Sequence, residues 1–151
     1  MPLAAIALGS NLGDRESTLS HAAESLARLG RVVAVSPWLQ TAPVGYANQP
    51  DFLNGAVVLE TQQPPDELLQ ALLQIERNHG RDRSHGIEKG PRTLDLDLLL
   101  YDDLVIITPE LTVPHPEMHT RRFVLEPLAA IAPDMVHPVL QKTAAELLAQ
   151  L

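Results

Sequence analysis

Leu94-Asp95-Leu96-Asp97-Leu98-Leu99-Leu100-Tyr101, residues 94–101, alternates leucine with acid at its start and becomes wholly apolar toward its end. That is β-strand patterning. Side chains in a strand alternate between faces, which puts Asp95 and Asp97 on one side, about 6–7 Å apart at Cα, and Leu94, Leu96, Leu98 and Leu100 on the other. Two carboxylates so close repel each other, and burying either without a partner is costly. One reading makes them the solvated face of an amphipathic strand, with Arg92 as a surface ion pair. The other places a divalent cation between them, since magnesium takes oxygen ligands of this kind. Arg92, just upstream in Gly90-Pro91-Arg92-Thr93, suits the phosphate that such a metal would carry.

Working outward, the segments before this strand supply the rest of a sheet. Leu3 to Leu8 is a short apolar run read as a buried strand, and Gly9 to Asp14 has turn chemistry. Asp14 is placed to cap a helix whose stripe is Leu19, Ala22, Ala23, Leu26 and Leu29, with Gly30 as its stop. Arg31 to Gln40 reads as a second strand, with a bulge or edge position at Pro37. Thr41 to Pro50 is loop, and Phe52 to Thr61 is a third strand. Pro64-Pro65-Asp66-Glu67 opens a second helix with the stripe Leu68, Leu69, Leu72, Leu73 and Ile75, ending near His79-Gly80. Arg81 to Pro91 is a polar connection long enough to be a functional lid.

The order β-α-β-β-α-β predicts an α+β fold with a ferredoxin-like core, an antiparallel sheet carrying two helices on one face. From about Asp102 the chain should add a short hairpin, a Pro-rich turn at Pro114-His115-Pro116 and two C-terminal helical pieces. Thr143 and Glu146 form a capping box for the last of them. Neither a repeat nor an internal boundary is visible, so residues 1–151 are expected to be one domain.

Composition narrows the function. The chain has 151 residues, 45% of them hydrophobic, and a formal charge of −8, which argues for a globular fold and against nucleic-acid or anionic-membrane binding. There is no cysteine, hence no disulfide, thiol nucleophile or thiolate metal site. Neither a signal peptide nor a membrane-length apolar run is present, so a soluble, cytoplasmic protein is expected. Seven of the eleven Lys and Arg residues fall at Arg77, Arg81, Arg83, Lys89 and Arg92, then at Arg121 and Arg122. An acidic protein that gathers its cations locally has either a small polyanion to hold or, at Arg77 to Arg83, a helix end to complement.

Phe52 and Phe123, the two phenylalanines of the chain, are either ordinary core residues or the walls of a stacking slot for a flat ligand. Asn54 shares a strand face with Phe52, and its amide can both donate to and accept from the edge of a heteroaromatic ring. His115 lies rigidly between prolines, as a turn residue in solvent or a site residue. The other histidines have no metal-ligand spacing. Gly9 to Asp14 lacks the Gly-Lys-Ser/Thr ending of a nucleotide-binding P-loop.

Taken together, Gly9-Ser10-Asn11-Leu12-Gly13-Asp14, Gln49-Pro50-Asp51-Phe52-Leu53-Asn54, Gly90 to Asp97 and Thr112-Val113-Pro114-His115-Pro116, with the spacing of Arg121 and Phe123, make the chain resemble the 6-hydroxymethyl-7,8-dihydropterin pyrophosphokinases along nearly its whole length. The resemblance implies transfer of diphosphate from ATP to the hydroxymethyl group of a reduced pterin in folate biosynthesis, releasing AMP. It implies two Mg2+ ions on Asp95 and Asp97, with ATP as co-substrate; a monomer is expected. Phe52 and Phe123 would stack on the pterin, and Asn54 would read its edge with backbone groups near Thr41 and Val44. Arg81 and Arg92 would meet the triphosphate and its transition state from the lid. Glu76, Arg83, Arg92, Leu98, Thr112, His115 and Arg121 would surround the nucleotide. The lid differs from some relatives, which carry tryptophan where this chain has Lys89, and Ser84 to Lys89 is one residue longer. A non-enzymatic ligand sensor, an RNA-binding sheet and a nucleotidyltransferase are the competing classes.

Overall fold

Strand β1 (Leu3–Ser10) occupies the middle of a five-stranded sheet because nearly every residue in it is apolar or small. The computed structural model describes residues 1–41, 51–79 and 94–151. Elements follow in the order β1, α1 (Arg15–Leu26), β2 (Arg31–Val35), β3 (Leu39–Thr41), β4 (Phe52–Glu60), α2 (Pro65–Asn78) and β5 (Asp95–Tyr101). The sheet order is β2-β4-β1-β5, with β3 also on β4, and the pairings are antiparallel. Beyond β5 come the hairpin β6 (Ile106–Ile107) and β7 (Thr112–Val113), then α3 (Arg122–Ile131), a second hairpin of β8 (Val136–His137) and β9 (Lys142–Thr143), and α4 (Ala144–Ala149). The result is a mixed α/β molecule with an antiparallel sheet and four helices among the described residues.

One face of the sheet carries the two helices expected there. Leu19, Ala22 and Leu26 of α1 and Leu68, Leu72 and Ile75 of α2 share a core with Ile6, Leu8, Val57, Leu59, Leu96 and Leu98. The opposite face is also covered: Val124, Leu125 and Leu128 of α3, backed by Leu147 of α4, pack on Ala5, Ala7, Ala56, Leu99 and Leu100. Three alanines on the sheet leave the room that α3 fills. The capping box is present, with Thr143 Oγ1 accepting from the Glu146 N–H and the Glu146 carboxylate accepting from the Thr143 N–H.

Four details differ from the sequence reading, each through a long-range partner. Strand β1 continues past Leu8 through Gly9 and Ser10, because Gly9 pairs with Asn54 on one side and Asp95 on the other. The segment 31–40 is two strands, not one. Ser36 makes the break, its hydroxyl accepting from the Ala56 N–H and donating to the Pro37 carbonyl, next to a proline with no N–H to give a ladder. Helix α1 ends at Leu26, before Gly30. Gly30 instead allows close passage of β4, for a Cβ there would collide with the Glu60 carbonyl. Leu100 changes face. Ile6 pairs with Leu98 but Ala5 with Leu100, so Leu99 is an extra residue in the ladder and both Leu99 and Leu100 join the α3-side core.

Candidate active site

The register of the three central strands builds the site. Asn54 of β4, Gly9 of β1 and Asp95 of β5 lie in one row across the sheet, with Ala56, Ala7 and Asp97 in the next. Directly paired residues share a face, and this is the face toward α3. Two inter-strand steps separate Asn54 from Asp95, about 9–10 Å. Between the polar ends lie only glycine and alanine, so the floor is flat.

Gly9 makes the near end possible. A Cβ placed on it would stand 3.1 Å from Asn54 Oδ1 and 3.6 Å from a ring carbon of Phe52. That contact also puts Phe52 and Asn54 on one face, as their spacing required. Asn54 is buried, and its Nδ2 donates to Thr41 Oγ1 on β3, which fixes the orientation of the amide. The entry to β4 is tied down by Arg15, whose guanidinium donates to the Asp51 carbonyl at 2.7 Å, and by Gln40, whose amide donates to Asp51 Oδ2 at 3.1 Å. Phe123, in the first turn of α3, packs half-buried against the α3-side core, and the Arg121 guanidinium lies 5.6 Å from its ring centre. Arg121 is also ion-paired with Glu117.

At the far end Asp95 and Asp97 are half-buried on β5, an edge strand. Its outer edge is occupied by two neighbours. Glu76 of α2, only 3% exposed, accepts the Leu96 N–H at 2.7 Å, and the His115 N–H donates to the Leu99 carbonyl at 2.9 Å. His115 Nδ1 accepts from the Glu117 N–H at 3.2 Å, so the neutral ring carries its proton on Nε2, which stands 4.0 Å from Asp97 Oδ1. Burial, helped by the Arg121 charge and opposed by Asp95, lowers the His115 pKa from its ordinary value. Among the described residues no group of three or more His, Cys, Asp or Glu side chains is arranged around a metal position. A pair of carboxylates that relies on phosphate oxygens for further ligands does suit magnesium, which is commonly held this way.

The structure thus brings together Asp95, Asp97, Asn54, Phe52, Thr41, Phe123, His115, Arg121 and Glu76. Thr112 is half-buried on β7, and Leu98 lies in the α1/α2-side core at 4% exposure. Val44, Arg81, Arg83 and Arg92 lie outside the described residues. Sequence reading missed Gly9, which it assigned to a turn, and the contacts of Glu76 and His115 with the β5 edge. Only the alternation around Gly9 hinted at the first. The other two have no local signal.

A model of 7,8-dihydro-6-hydroxymethylpterin-pyrophosphokinase (HPPK) matches residues 5–133. The 2-amino-4-hydroxy-6-hydroxymethyldihydropteridine pyrophosphokinase of Bacillus subtilis is 49% identical over 131 residues, 85% of this chain and 77% of that protein. Its namesake from Pseudomonas aeruginosa is 46% identical over 135 residues, covering 88% and 82%. The folic acid synthesis protein fol1 of Schizosaccharomyces pombe is 44% identical over 138 residues, 90% of this chain but only 19% of that much longer protein. In structure, the wild-type HPPK-DHPS of Plasmodium falciparum has the same fold, with a TM-score of 0.74 at 16% identity over 99% of this chain and 44% of that one. The chain belongs to the HPPK family.

Proposed function

We propose that this chain transfers diphosphate from ATP to the hydroxymethyl oxygen of 6-hydroxymethyl-7,8-dihydropterin, giving AMP and the pterin diphosphate, as a step of folate biosynthesis. Membership of the HPPK family supports the reaction class. The observation that carries the assignment of roles is the flat row from Asn54 across Gly9 to Asp95. It can seat a bicyclic ring with one edge at an amide and the other at two carboxylates.

In this reading Asn54 reads the pterin edge, with Thr41 fixing its amide, and backbone groups near Val44 assist. Phe52 and Phe123 stack on the two faces of the ring. Asp95 and Asp97 would hold two Mg2+ ions, which when bound offset the negative charge of the triphosphate and polarise its oxygens. The hydroxymethyl oxygen forms a bond to the β-phosphorus while the bond from that phosphorus to the α–β bridging oxygen breaks. AMP departs with the electron pair, and the hydroxyl proton passes to solvent. Little covalent chemistry falls to the protein, whose contribution is positioning and charge. His115 presents an N–H beside Asp97, Arg121 presents a cation beside Phe123, and Leu98 and Thr112 line the nucleotide region, while Glu76 bonds the Leu96 N–H from behind β5. Arg81 and Arg92 supply the lid cations that meet the triphosphate, and Arg83 stands among the residues around the nucleotide.

We read the β2-β4-β1-β5 sheet with α1 and α2 as a ferredoxin-like arrangement, and residues 1–151 as one monomeric domain. The net charge of −8 supports a partner list without nucleic acid. No helix among the described residues is long and apolar enough to cross a membrane, and the lack of cysteine suits the cytoplasm, where we place the protein. Product chromatography after incubation with ATP, Mg2+ and the reduced pterin tests the reaction. AMP and a pterin diphosphate are expected. Released diphosphate would mean nucleotidyl transfer, and ATP bound but never converted would mean a ligand sensor.

A further inference from the structure

We infer that Glu76 is a positioning residue, a buried carboxylate from α2 that fixes the spacing of Asp95 and Asp97 by gripping the peptide N–H between them. The inference rests on the proposed role of those two aspartates. Three observations carry it. Strand β5 is the last strand on its side of the sheet, so half of its backbone groups face away from β1. The N–H of Leu96 is one of these, and Glu76 Oε2 accepts it at 2.7 Å. Glu76 is 3% exposed, although an acid on a helix ordinarily belongs in water.

The Glu76 side-chain oxygen takes the place that a further strand's carbonyl would occupy, and so holds a peptide that an open edge would leave to solvent. On the far side of Asp97, the His115 N–H grips the Leu99 carbonyl. The two clamps bracket Asp97, and the strand between them cannot twist without breaking one. Asp95 and Asp97 repel each other, and β5 is laddered on one side only, to β1, so bonds on its outer edge limit how the two side chains can turn. Groups that orient metal ligands in this way are worth about 10–100-fold in metal affinity.

The test uses the full chain, α,β-methylene ATP as the nucleotide and Mn2+ as the probe, with bound Mn2+ read by electron paramagnetic resonance. Glu76→Leu should weaken Mn2+ binding to the nucleotide complex by about tenfold or more. Its affinity for the nucleotide without metal should stay within about twofold of wild type. Glu76→Gln retains an oxygen acceptor and should recover most of the Mn2+ affinity. Mn2+ binding by Glu76→Leu within twofold of wild type overturns the inference. So does equal loss of metal-free nucleotide binding, which would make Glu76 a direct nucleotide contact. Should Glu76→Leu fail to fold, Glu76→Ala is read against the same limits, and a tenfold Mn2+ loss in Glu76→Gln, which keeps the acceptor, overturns the inference. Asp97→Asn is measured in parallel. If it binds Mn2+ normally, the metal-site reading itself is wrong and the inference falls with it; loss there together with normal binding in Glu76→Leu sinks the positioning role alone.

Discussion

Asp97 and Gly9 show how little chemistry a single position needs when its neighbours are right. Asp97 has Asp95 on the same strand face and the His115 Nε2 4.0 Å from its Oδ1. Replacing either aspartate by alanine should cut AMP formation about 10³-fold, the equivalent of several kcal/mol of charge stabilisation, with the melting profile little changed. Near-normal turnover in a magnesium assay would remove both from the metal site. Gly9 contributes by having no side chain. In Gly9→Ala the new methyl would sit 3.1 Å from Asn54 Oδ1, tight enough that the amide or the ring must move. We expect the pterin Kd to rise about tenfold, or 1.4 kcal/mol, with ATP-analogue affinity unchanged. Titration calorimetry with each ligand separates the two, and unchanged pterin binding would show that the floor does not touch the ring. That Asp95 and Asp97, or Phe52 and Asn54, share a face was legible from period-two spacing. The emptiness between the pairs was not, because it depends on which residues of β1 lie opposite.

At the level of elements, helix α2 does two jobs, one for stability and one for the site. Leu72 is fully buried between α2 and the sheet. Leu72→Ala should cost about 2–5 kcal/mol in urea unfolding, since the sheet cannot collapse into the space; a loss below 1 kcal/mol would mean that the helix packs more loosely than described. The β8–β9 hairpin offers a pH-dependent contrast. His137 Nδ1 accepts the N–H groups of Val139 and Leu140, at 3.3 and 3.1 Å. Burial, and then the nearby His119, lower its pKa below the usual histidine value. The unfolded chain therefore takes up the proton first. Stability should be level above about pH 6.5 and fall as pH drops from there toward the lower folded value. Thermal melts between pH 7 and 5 should show that slope, shallower in His137→Asn, whose amide oxygen accepts the same N–H groups without titrating. An unchanged slope would assign the acid sensitivity elsewhere. The capping box of α4 and the stripes of α1 and α2 were readable because helix signals are local. The split of residues 31–40 was not, since Ser36 breaks the strand by bonding to Ala56, twenty residues away.

For the whole molecule, the site spans three strands and leans on α2, α3 and the turn before α3, so its ligands should hold these parts together. With Mg2+ and α,β-methylene ATP at a hundred times Kd, the chain should gain about 2.7 kcal/mol. At this length that is roughly 5–10 °C in Tm. Excess EDTA should return most of the gain if Asp95 and Asp97 bind nucleotide through metal, and an EDTA-insensitive shift would count against that arrangement. The amino-acid sequence by itself determined the alternation of β5, the two amphipathic helices, the pairing of like-facing site residues and the family to which they belong. These follow from spacings of two to four residues and from short motifs. Only the tertiary structure decided that Gly9 lies between Asn54 and Asp95, that a bulge turns Leu100 toward α3, and that Glu76 and His115 clamp the edge of β5. Each of these depends on contacts between residues far apart in the chain, where packing and the demand that buried backbone groups be bonded select the partner.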